Sequence, residues 1–331
     1  MFQHNFVNYQ DLAETIMLGR AAMPAKIDLV VGIPRSGMLA ASMLAAQLNA
    51  PLTDVEGLKQ DRLFGYGATK SAPNVKRALS DDRTVLIIDD IAGAGSAIRR
   101  TREDIAQAGV RGTIVFCVVY APTLKHPDID VVLKQTSPGL MAPWNIMHHK
   151  VLARACVDID GVLCRNPFPH EDDDGAAYET FLKTTEPLHG VSGRIGWLVT
   201  SRKERYRAAT EEWLARHGIE YDELHMTTTP EEKQDSPAFK ARLYRETGAE
   251  LFIESEGPCA LRIAELSERN VMCVSAQTMI TPDGADSLAH ALSSTGRKAM
   301  MRTLVSRAKL SARQVLGPKS YAALKSIARR G

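Results

Sequence analysis

Two adjacent carboxylates, Asp89 and Asp90, follow a short apolar run and come shortly before a turn of small residues. The run, residues 85–88, is too short for a helix and is bounded by polar residues, so it predicts a buried strand. The turn contains Ala92, Gly93, Ala94, Gly95 and Ser96, and a segment with helical spacing comes next. A strand, a glycine turn and a helix N-terminus gather backbone N–H groups around one point, which favours a phosphate. Two carboxylates would repel a nearby phosphate unless something else is bound. A ligand with phosphate at one end and vicinal hydroxyls at the other, with Mg²⁺ between, resolves this, and an activated sugar phosphate is such a ligand.

The stretch 84–99 resembles the phosphoribosyl diphosphate (PRPP) signature of the type I phosphoribosyltransferases, which has four apolar residues, two acids and a small-residue phosphate loop. The resemblance implies that Asp89 and Asp90 hold the ribose hydroxyls and that residues 92–96 hold the 5-phosphate. The structural alternative is an ordinary strand-to-helix turn in a doubly wound sheet, because fold elements alone carry no function.

The phosphate loop departs from the family pattern, which has threonines where this chain has Gly93, Ala94 and Ala97. Ser96 supplies the one hydroxyl of the loop, so we expect binding of the 5-phosphate to depend on backbone N–H donors.

A second strand-loop-helix unit lies upstream. Residues 27–33 predict another buried strand, followed by the loop Pro34-Arg35-Ser36-Gly37 and an alanine-rich helix, residues 38–48. This unit resembles the pyrophosphate loop of the same family, which often contains a strained peptide. The resemblance implies that Arg35 meets the leaving diphosphate, a bidentate task suited to guanidinium, while Ser36 and Gly37 offer hydroxyl and backbone donors.

Two further segments correspond to family elements by position. Residues 55–76 are polar and lack periodicity, as does the family's loop that closes over the diphosphate. The candidate cations there are Lys59, Arg62 and Lys70, with an ordinary solvated loop as the alternative.

Residues 121–149 are proline-rich and irregular in pattern, and correspond to the acceptor-binding hood. Trp144 and Asn145 are candidates to contact an acceptor, and a core tryptophan is the alternative.

At Ala155 the chain begins a second α/β pattern, ACVDIDGVL, which resembles the first motif of the haloacid dehalogenase (HAD) superfamily phosphatases. Side chains two apart on a strand point the same way, so Asp158 and Asp160 are expected to face one site. Asp158 can attack phosphorus, and Asp160 can protonate the leaving alkoxide and then activate water. Mg²⁺ would screen the attacking carboxylate from an anionic substrate.

Later segments follow the order of the same superfamily. Thr200, at the end of an apolar strand, would bind the transferring phosphoryl group, with Ser201 as a substitute. Lys240 fits the charge-stabilising lysine, with Lys233 as the runner-up.

The metal ligands expected from the resemblance are Asp158, Asp160 and Glu254. Glu254 stands where the family usually has an aspartate, and Glu256 stays open as a ligand. A degenerate phosphatase fold kept as a scaffold is the alternative. Residues 164–193 are too few for a large cap domain, so the site should be open and suit a bulky substrate.

Composition sets only broad bounds. The 331 residues carry 41 Lys and Arg against 39 Asp and Glu, so bulk charge does not indicate a partner. Five cysteines without C-x-x-C spacing favour reduced thiols in a cytoplasmic protein. The first nine residues contain no apolar signal-peptide core, and no window is apolar enough to span a membrane.

The tail after Asp286 lacks acidic residues and interleaves Lys and Arg with apolar residues, which predicts basic amphipathic helices. Such helices suit an anionic membrane surface, so we expect peripheral attachment at the inner face of the membrane. Docking on the protein's own acidic surface and contact with nucleic acid are the alternatives for the tail.

The sequence thus predicts an α/β protein with two doubly wound parallel-sheet domains: a phosphoribosyltransferase domain (1–150), a HAD-like phosphatase domain (151–286) and a basic tail (287–331). The combination resembles the bacterial two-step ribofuranosyltransferases of capsule and O-antigen assembly. It implies transfer from PRPP to a lipid-linked glycan hydroxyl with inversion, with Asp90 or Asp89 as base, and then dephosphorylation.

Two alternatives stay open: a nucleobase phosphoribosyltransferase fused to a nucleotidase, and a PRPP-sensing regulator. We expect no nucleic-acid partner for the whole protein, and the sequence leaves a homo-oligomer open.

Overall fold

The apolar runs of the sequence form the strands of two separate sheets. The computed structural model describes residues 5–65 and 75–282, and the chain divides into two compact units between Lys150 and Val151. Lys70 and the predicted tail helices lie outside the described residues.

The first sheet is parallel throughout its described strands, as predicted. These strands are β1 (Leu29–Gly32), β2 (Leu52–Asp54), β3 (Thr84–Ile91), β4 (Thr113–Ala121) and β5 (Val131–Gln135). Their order is β2-β1-β3-β4-β5, so all their carboxyl ends meet at one edge of the sheet.

Helices cover both faces of this sheet. The helices of the first unit are α1 (Tyr9–Leu18), α2 (Gly37–Leu48), α3 (Val55–Lys59), α4 (Val75–Ala78) and α5 (Ser96–Gln107), with a 3-10 turn at Gly19–Ala22 and another at Ile146–His148. Alternate residues of β3 point to opposite faces. Leu86 packs with Leu44 of α2, whereas Ile87 packs with Ile98 of α5.

The structure adds elements that the sequence pattern did not indicate. The segment 121–149, predicted to be irregular, contributes β5, whose short apolar run is stabilised by pairing with β4. The segment 55–76, predicted to be a loop, begins with α3 because Asp54 caps it by accepting from the Gly57 N–H.

The second sheet is mixed. Its described strands are β6 (Ala155–Val157), β7 (Ile195–Lys203), β8 (Tyr221–Thr227), β9 (Leu251–Glu254), β10 (Val271–Cys273) and β11 (Thr278–Ile280), in the order β11-β10-β9-β6-β7-β8. The prediction of an all-parallel sheet is wrong at one edge, where β11 runs antiparallel to β10. Residues 274–277 alone join these strands, which is too few for a parallel crossover.

The second unit also has helices on its sheet. They are α6 (Ala176–Thr184), α7 (Arg207–Arg216), α8 (Pro230–Gln234), α9 (Ser236–Glu246) and α10 (Gly257–Ser267), with a 3-10 turn at Glu204–Tyr206; a further 3-10 turn, Lys150–Arg154, spans the division between the two units. Tyr244 of α9 and Ile263 of α10 pack with Phe252 of β9 in one core. Across residues 5–65 and 75–282, no helix has the length and apolar character needed to span a bilayer.

Candidate active sites

The acid pair lies at the carboxyl edge of the first sheet, within the last three residues of β3. Asp89 and Asp90 are 8% and 2% exposed. The start of α2 reaches them because residue 37 is glycine: a Cβ there would lie 2.8 Å from Asp89 Oδ1 and 2.9 Å from the Ile88 carbonyl oxygen. The two loops predicted to bind one ligand are therefore brought together at this edge.

Asp90 is held by two side chains from distant segments. The Ser36 hydroxyl donates to Oδ1 at 2.9 Å, and Trp144 Nε1 donates to Oδ2 at 2.5 Å. Ser36 is the N-cap residue of α2, yet its hydroxyl bonds to Asp90 instead of capping the helix. Trp144 also packs on Tyr9, with ring centroids 5.1 Å apart, so its position is fixed by both contacts.

Asp89 sits in a different electrostatic environment. Its Oδ1 accepts from the Asp90 backbone N–H at 2.9 Å. Burial, followed by the charge of Asp90, raises the pKa of Asp89 to about 8. The carboxylate form of Asp89 is therefore favoured when hydroxyl donors or a cation are added beside it.

The predicted pyrophosphate loop is exposed at the same edge. Pro34 and Arg35 are exposed, the Pro34–Arg35 peptide bond is cis, and Gly37 begins α2. Near the start of α2, the Met38 and Leu39 N–H groups donate to the carbonyls of Arg35 and Ser36, at 3.3 and 2.9 Å, so the exposed side chain of Arg35 is the candidate donor to an anion here.

The predicted 5-phosphate loop connects β3 to α5. The Ala92 N–H donates to the Tyr120 carbonyl at 2.9 Å, which ties the loop to β4. Gly93, Ala94 and Ser96 are exposed, and Gly95 has a φ of +72° that favours glycine. The loop thus presents backbone donors at a helix N-terminus, with one hydroxyl.

The predicted cations of the diphosphate loop make local ion pairs. Lys59 Nζ lies 2.7 Å from Glu56 Oε2, and an Arg62 nitrogen lies 3.4 Å from Asp54 Oδ1. Both pairs are exposed, so a phosphate could compete for either cation.

A cleft of about 730 Å³ opens beside the carboxyl ends of β4 and β5. Its lining combines apolar and polar groups: Phe6, Val7, Pro122, Lys134, Gln135, Thr136, Ser137, Pro138 and Leu140. The sequence predicted that residues 121–149 form the acceptor-binding hood, but it did not indicate which side chains line the cleft. Trp144 and Asn145 are not in the lining; Asn145 Oδ1 accepts from the Ala142 N–H at 3.0 Å.

In the second unit, Lys240 lies between two buried carboxylates. Its Nζ donates to Asp158 Oδ2 and to Glu254 Oε2, each at 2.7 Å. The structure brings Lys240 to Asp158, whereas Lys233 donates to the Ser201 carbonyl at 3.0 Å. Against the opposing effect of burial, the two carboxylates raise the pKa of Lys240, so it stays charged.

Asp160 faces a different cation, Arg202. β6 ends at Val157, so Asp158 and Asp160 lie beyond the strand where the two-residue alternation applies. Arg202 donates to both carboxylate oxygens of Asp160, at 2.7 and 3.0 Å, and its side chain is fully buried. Burial opposes ionisation, but Arg202 holds the pKa of Asp160 below its ordinary value. Arg202 was missed, although it stands two residues after Thr200 on β7.

The remaining candidates have distinct environments. Thr200 is fully buried and its hydroxyl accepts from the Arg202 N–H at 3.2 Å. Glu254 Oε1 accepts from the N–H and the hydroxyl of Ser255. Glu256 is exposed.

The charges of the second site suit one further cation. Two carboxylates share Lys240, and burial together with Glu254 raises the pKa of Asp158 despite that lysine. No group of three or more His, Cys, Asp or Glu side chains with metal-site spacing occurs in the described part of the chain. Asp158 and Glu254 fit as oxygen ligands for Mg²⁺, whereas the carboxylate of Asp160 is already neutralised by Arg202.

The first unit therefore combines a parallel sheet, an acid pair, an exposed arginine loop and a glycine turn at a helix N-terminus, the features of a sugar-phosphate-binding α/β domain. Residues 8–145 match the family described as phosphoribosyl transferase domain. Over 119 residues the chain is 25% identical to the xanthine-guanine phosphoribosyltransferase of Chromohalobacter salexigens, a match that covers 35% of this chain and 68% of that protein.

Two phosphoribosyltransferases are among the solved structures that align with part of this chain. The purine phosphoribosyltransferase from Pyrococcus horikoshii aligns over 42% of this chain and 92% of its own, with a TM-score of 0.30 and 19% identity. The orotate phosphoribosyltransferase from Aeropyrum pernix aligns over 34% and 57%, with a TM-score of 0.25 and 22% identity. The match of residues 8–145 to this family supports phosphoribosyl transfer as the class of activity of the first unit.

Proposed function

We propose that the protein makes a ribofuranoside in two steps. The first domain transfers 5-phosphoribose from PRPP to a hydroxyl of a glycan acceptor, and the second unit removes the 5-phosphate. The first product carries the phosphomonoester that the second step hydrolyses, which explains why one chain holds both units. The observation that carries the second step is the buried Asp158–Lys240–Glu254 arrangement, because it supplies a carboxylate nucleophile beside a fixed cation.

In the transfer step, the acceptor oxygen attacks C1 of ribose and diphosphate leaves. Attack from the face opposite the leaving group inverts the anomeric carbon and gives a β-ribofuranoside. Arg35 would hold the diphosphate, and residues 92–96 the 5-phosphate. Both oxygens of Asp90 already accept hydrogen bonds, so Asp90 is suited to positioning. Burial and the charge of Asp90 raise the pKa of Asp89, so its carboxylate, once ionised, is a stronger proton acceptor than an ordinary aspartate, and Asp89 is the base that we prefer.

In the phosphatase step, Asp158 attacks phosphorus and the bond to the ribose oxygen breaks. Lys240 and Thr200 would position the phosphoryl group, and water then hydrolyses the aspartyl phosphate. Arg202 keeps Asp160 ionised, so Asp160 is suited to activate the water that hydrolyses the aspartyl phosphate. To protonate the leaving alkoxide in the earlier step, Asp160 must carry a proton, which requires that its ion pair with Arg202 loosens when substrate enters.

Mg²⁺ is the cofactor that we propose for both steps. Asp158 and Glu254 would hold it in the second unit, and the Asp89 carboxylate would stand beside it in the first. When bound, the ion would reduce the repulsion between a carboxylate and an anionic phosphate.

The cleft at the carboxyl ends of β4 and β5 supports a glycan acceptor. Its lining includes the polar side chains of Lys134, Gln135, Thr136 and Ser137, which suit sugar hydroxyls. Trp144 is the one Phe, Tyr or Trp of residues 121–149, and its ring packs on Tyr9 while its Nε1 donates to Asp90.

A nucleobase phosphoribosyltransferase fused to a nucleotidase is the second candidate. It is favoured by the name of the relative from Chromohalobacter salexigens, a xanthine-guanine phosphoribosyltransferase. A PRPP-sensing regulator is the third, because the 5-phosphate loop has few hydroxyls. For the basic tail after Asp286 we retain the proposal of contact with an anionic membrane surface.

Incubation with PRPP, Mg²⁺ and separate panels of synthetic lipid-linked glycans and free nucleobases, followed by mass spectrometry, tests these proposals. We expect a glycan to gain one ribose without phosphate. Ribosylation of nucleobases alone would favour the salvage enzyme, and PRPP binding without any product would favour the regulator.

A further inference from the structure

We propose that His126 binds the 5-phosphate of the donor through its Nε2–H, as a side-chain donor added to the phosphate loop from the connection between β4 and β5. This inference rests on the proposed donor site and names a residue that the sequence did not indicate.

The imidazole of His126 lies directly on the phosphate loop. A Cβ built on Gly95 would be 2.4 Å from both Cε1 and Nε2 of the ring, so the ring edge that carries Nε2 packs against the Gly95 backbone. Gly95 is the residue before α5 and the N-cap of that helix. The Nε2 atom is therefore next to the backbone donors that would surround a phosphate.

Hydrogen bonding fixes which ring nitrogen carries the proton. The Asp128 backbone N–H donates to His126 Nδ1 at 3.2 Å. Because Nδ1 accepts, the proton of the neutral ring is on Nε2, the nitrogen that faces the loop. His126 therefore presents a donor, and not an acceptor, toward the proposed phosphate position.

Helix α5 holds the His126 turn in place. Arg99 Nε donates to Asp128 Oδ2 at 2.9 Å, and Arg102 donates to the Asp128 carbonyl at 3.1 Å. The guanidinium of Arg102 also lies over the Phe116 ring, 4.2 Å from its centroid. The helix whose N-terminus would meet the phosphate thus also positions the histidine.

The phosphate loop has few side-chain donors of its own, so a donor from another segment would add to its binding of phosphate. Of residues 92–97, Ser96 alone carries a hydroxyl. A dianionic phosphate accepts several hydrogen bonds, and charge-assisted bonds are the stronger ones. A donor from outside the loop compensates for side chains that the loop itself lacks.

The test uses the full-length chain with Mg²⁺ and two probes, D-ribose 5-phosphate and inorganic pyrophosphate, by isothermal titration calorimetry. His126→Phe keeps a ring against Gly95 but removes the donor. We expect binding of ribose 5-phosphate to weaken about tenfold or more, while pyrophosphate, which meets Arg35, binds unchanged. His126→Gln, with an amide donor, should recover part of the affinity.

Lys125→Met is the matched control, since it removes a positive charge from the same turn and should leave both affinities unchanged. Equal ribose 5-phosphate binding by wild type and His126→Phe would overturn the inference. Equal weakening of both probes would also overturn it, because that pattern indicates a structural role. If wild type binds neither probe, the proposed donor site itself fails.

Discussion

Trp144 Nε1 donates to Asp90 Oδ2 at 2.5 Å, although 54 positions separate the two residues. The contact ties the segment predicted to be the acceptor hood to the acid pair at the end of β3. A change of the acceptor segment can therefore alter the donor site directly, through one hydrogen bond to a buried carboxylate.

The first prediction tests this bond. Trp144→Phe keeps an aromatic ring against Tyr9 but leaves Oδ2 of Asp90 without its donor. We expect the free energy of unfolding of the first unit to fall by about 1–3 kcal/mol and the KM for PRPP to rise. Urea denaturation and steady-state kinetics measure the two effects. A double-mutant cycle with Asp90→Asn should show coupling, and strict additivity of the two substitutions would refute a direct interaction.

The second prediction concerns the acid pair. Asp89→Asn combined with Asp90→Asn should abolish phosphoribosyl transfer, because neutral amides neither accept a proton nor bind ribose hydroxyls as carboxylates do. Phosphatase activity on a soluble monoester should persist, since the second unit has its own core. Asp81→Asn with Asp82→Asn is the control, because this adjacent acid pair is exposed and makes surface ion pairs. Full transfer activity in the Asp89/Asp90 variant would refute the proposed donor site.

The third prediction is a pH dependence of stability. The pKa of Asp89 is raised from 3.8 to about 8 in the folded protein by burial and by Asp90. Between these values the folded state holds a proton that the unfolded state has lost, so the contribution of Asp89 to stability falls as pH rises from about 4 to about 8.

Urea denaturation of wild type and Asp89→Asn across this range provides the measurement. The asparagine variant cannot ionise at this position, so the difference between the two unfolding free energies should shift in its favour as pH rises. A difference independent of pH would contradict the raised pKa.

The fourth prediction separates the two catalytic steps. Asp158→Asn preserves the size of the side chain but removes the nucleophile. A glycan incubated with PRPP should then gain phosphoribose and stop, with a product one phosphate heavier than that of wild type. External phosphatase should convert one product to the other. Release of dephosphorylated product at the wild-type rate would show that the second unit does not catalyse this step.

The sequence by itself determined the strands, the turns and the residue types that follow them. Apolar runs at residues 85–88 and 27–33 form β3 and β1, and the acid pair and both loops lie at the carboxyl edge of the sheet, as the pattern indicated. These features depend on neighbours along the chain: an apolar run buries itself in a sheet, and a glycine allows the turn that follows.

Only the tertiary structure decided which side chains meet. Lys240 donates to Asp158, although 82 positions separate them, whereas Lys233 donates to the Ser201 carbonyl. Arg202 forms the ion pair with Asp160. Trp144 and His126 both follow β4 in the sequence, yet Trp144 donates to Asp90 and the His126 ring packs on Gly95. Such partnerships depend on how helices and loops pack on the sheet, and a buried charge is stable only where that packing brings a counter-charge or donor to it. Local sequence patterns therefore located the edge of each site, and long-range packing determined the hydrogen bonds and ion pairs within it.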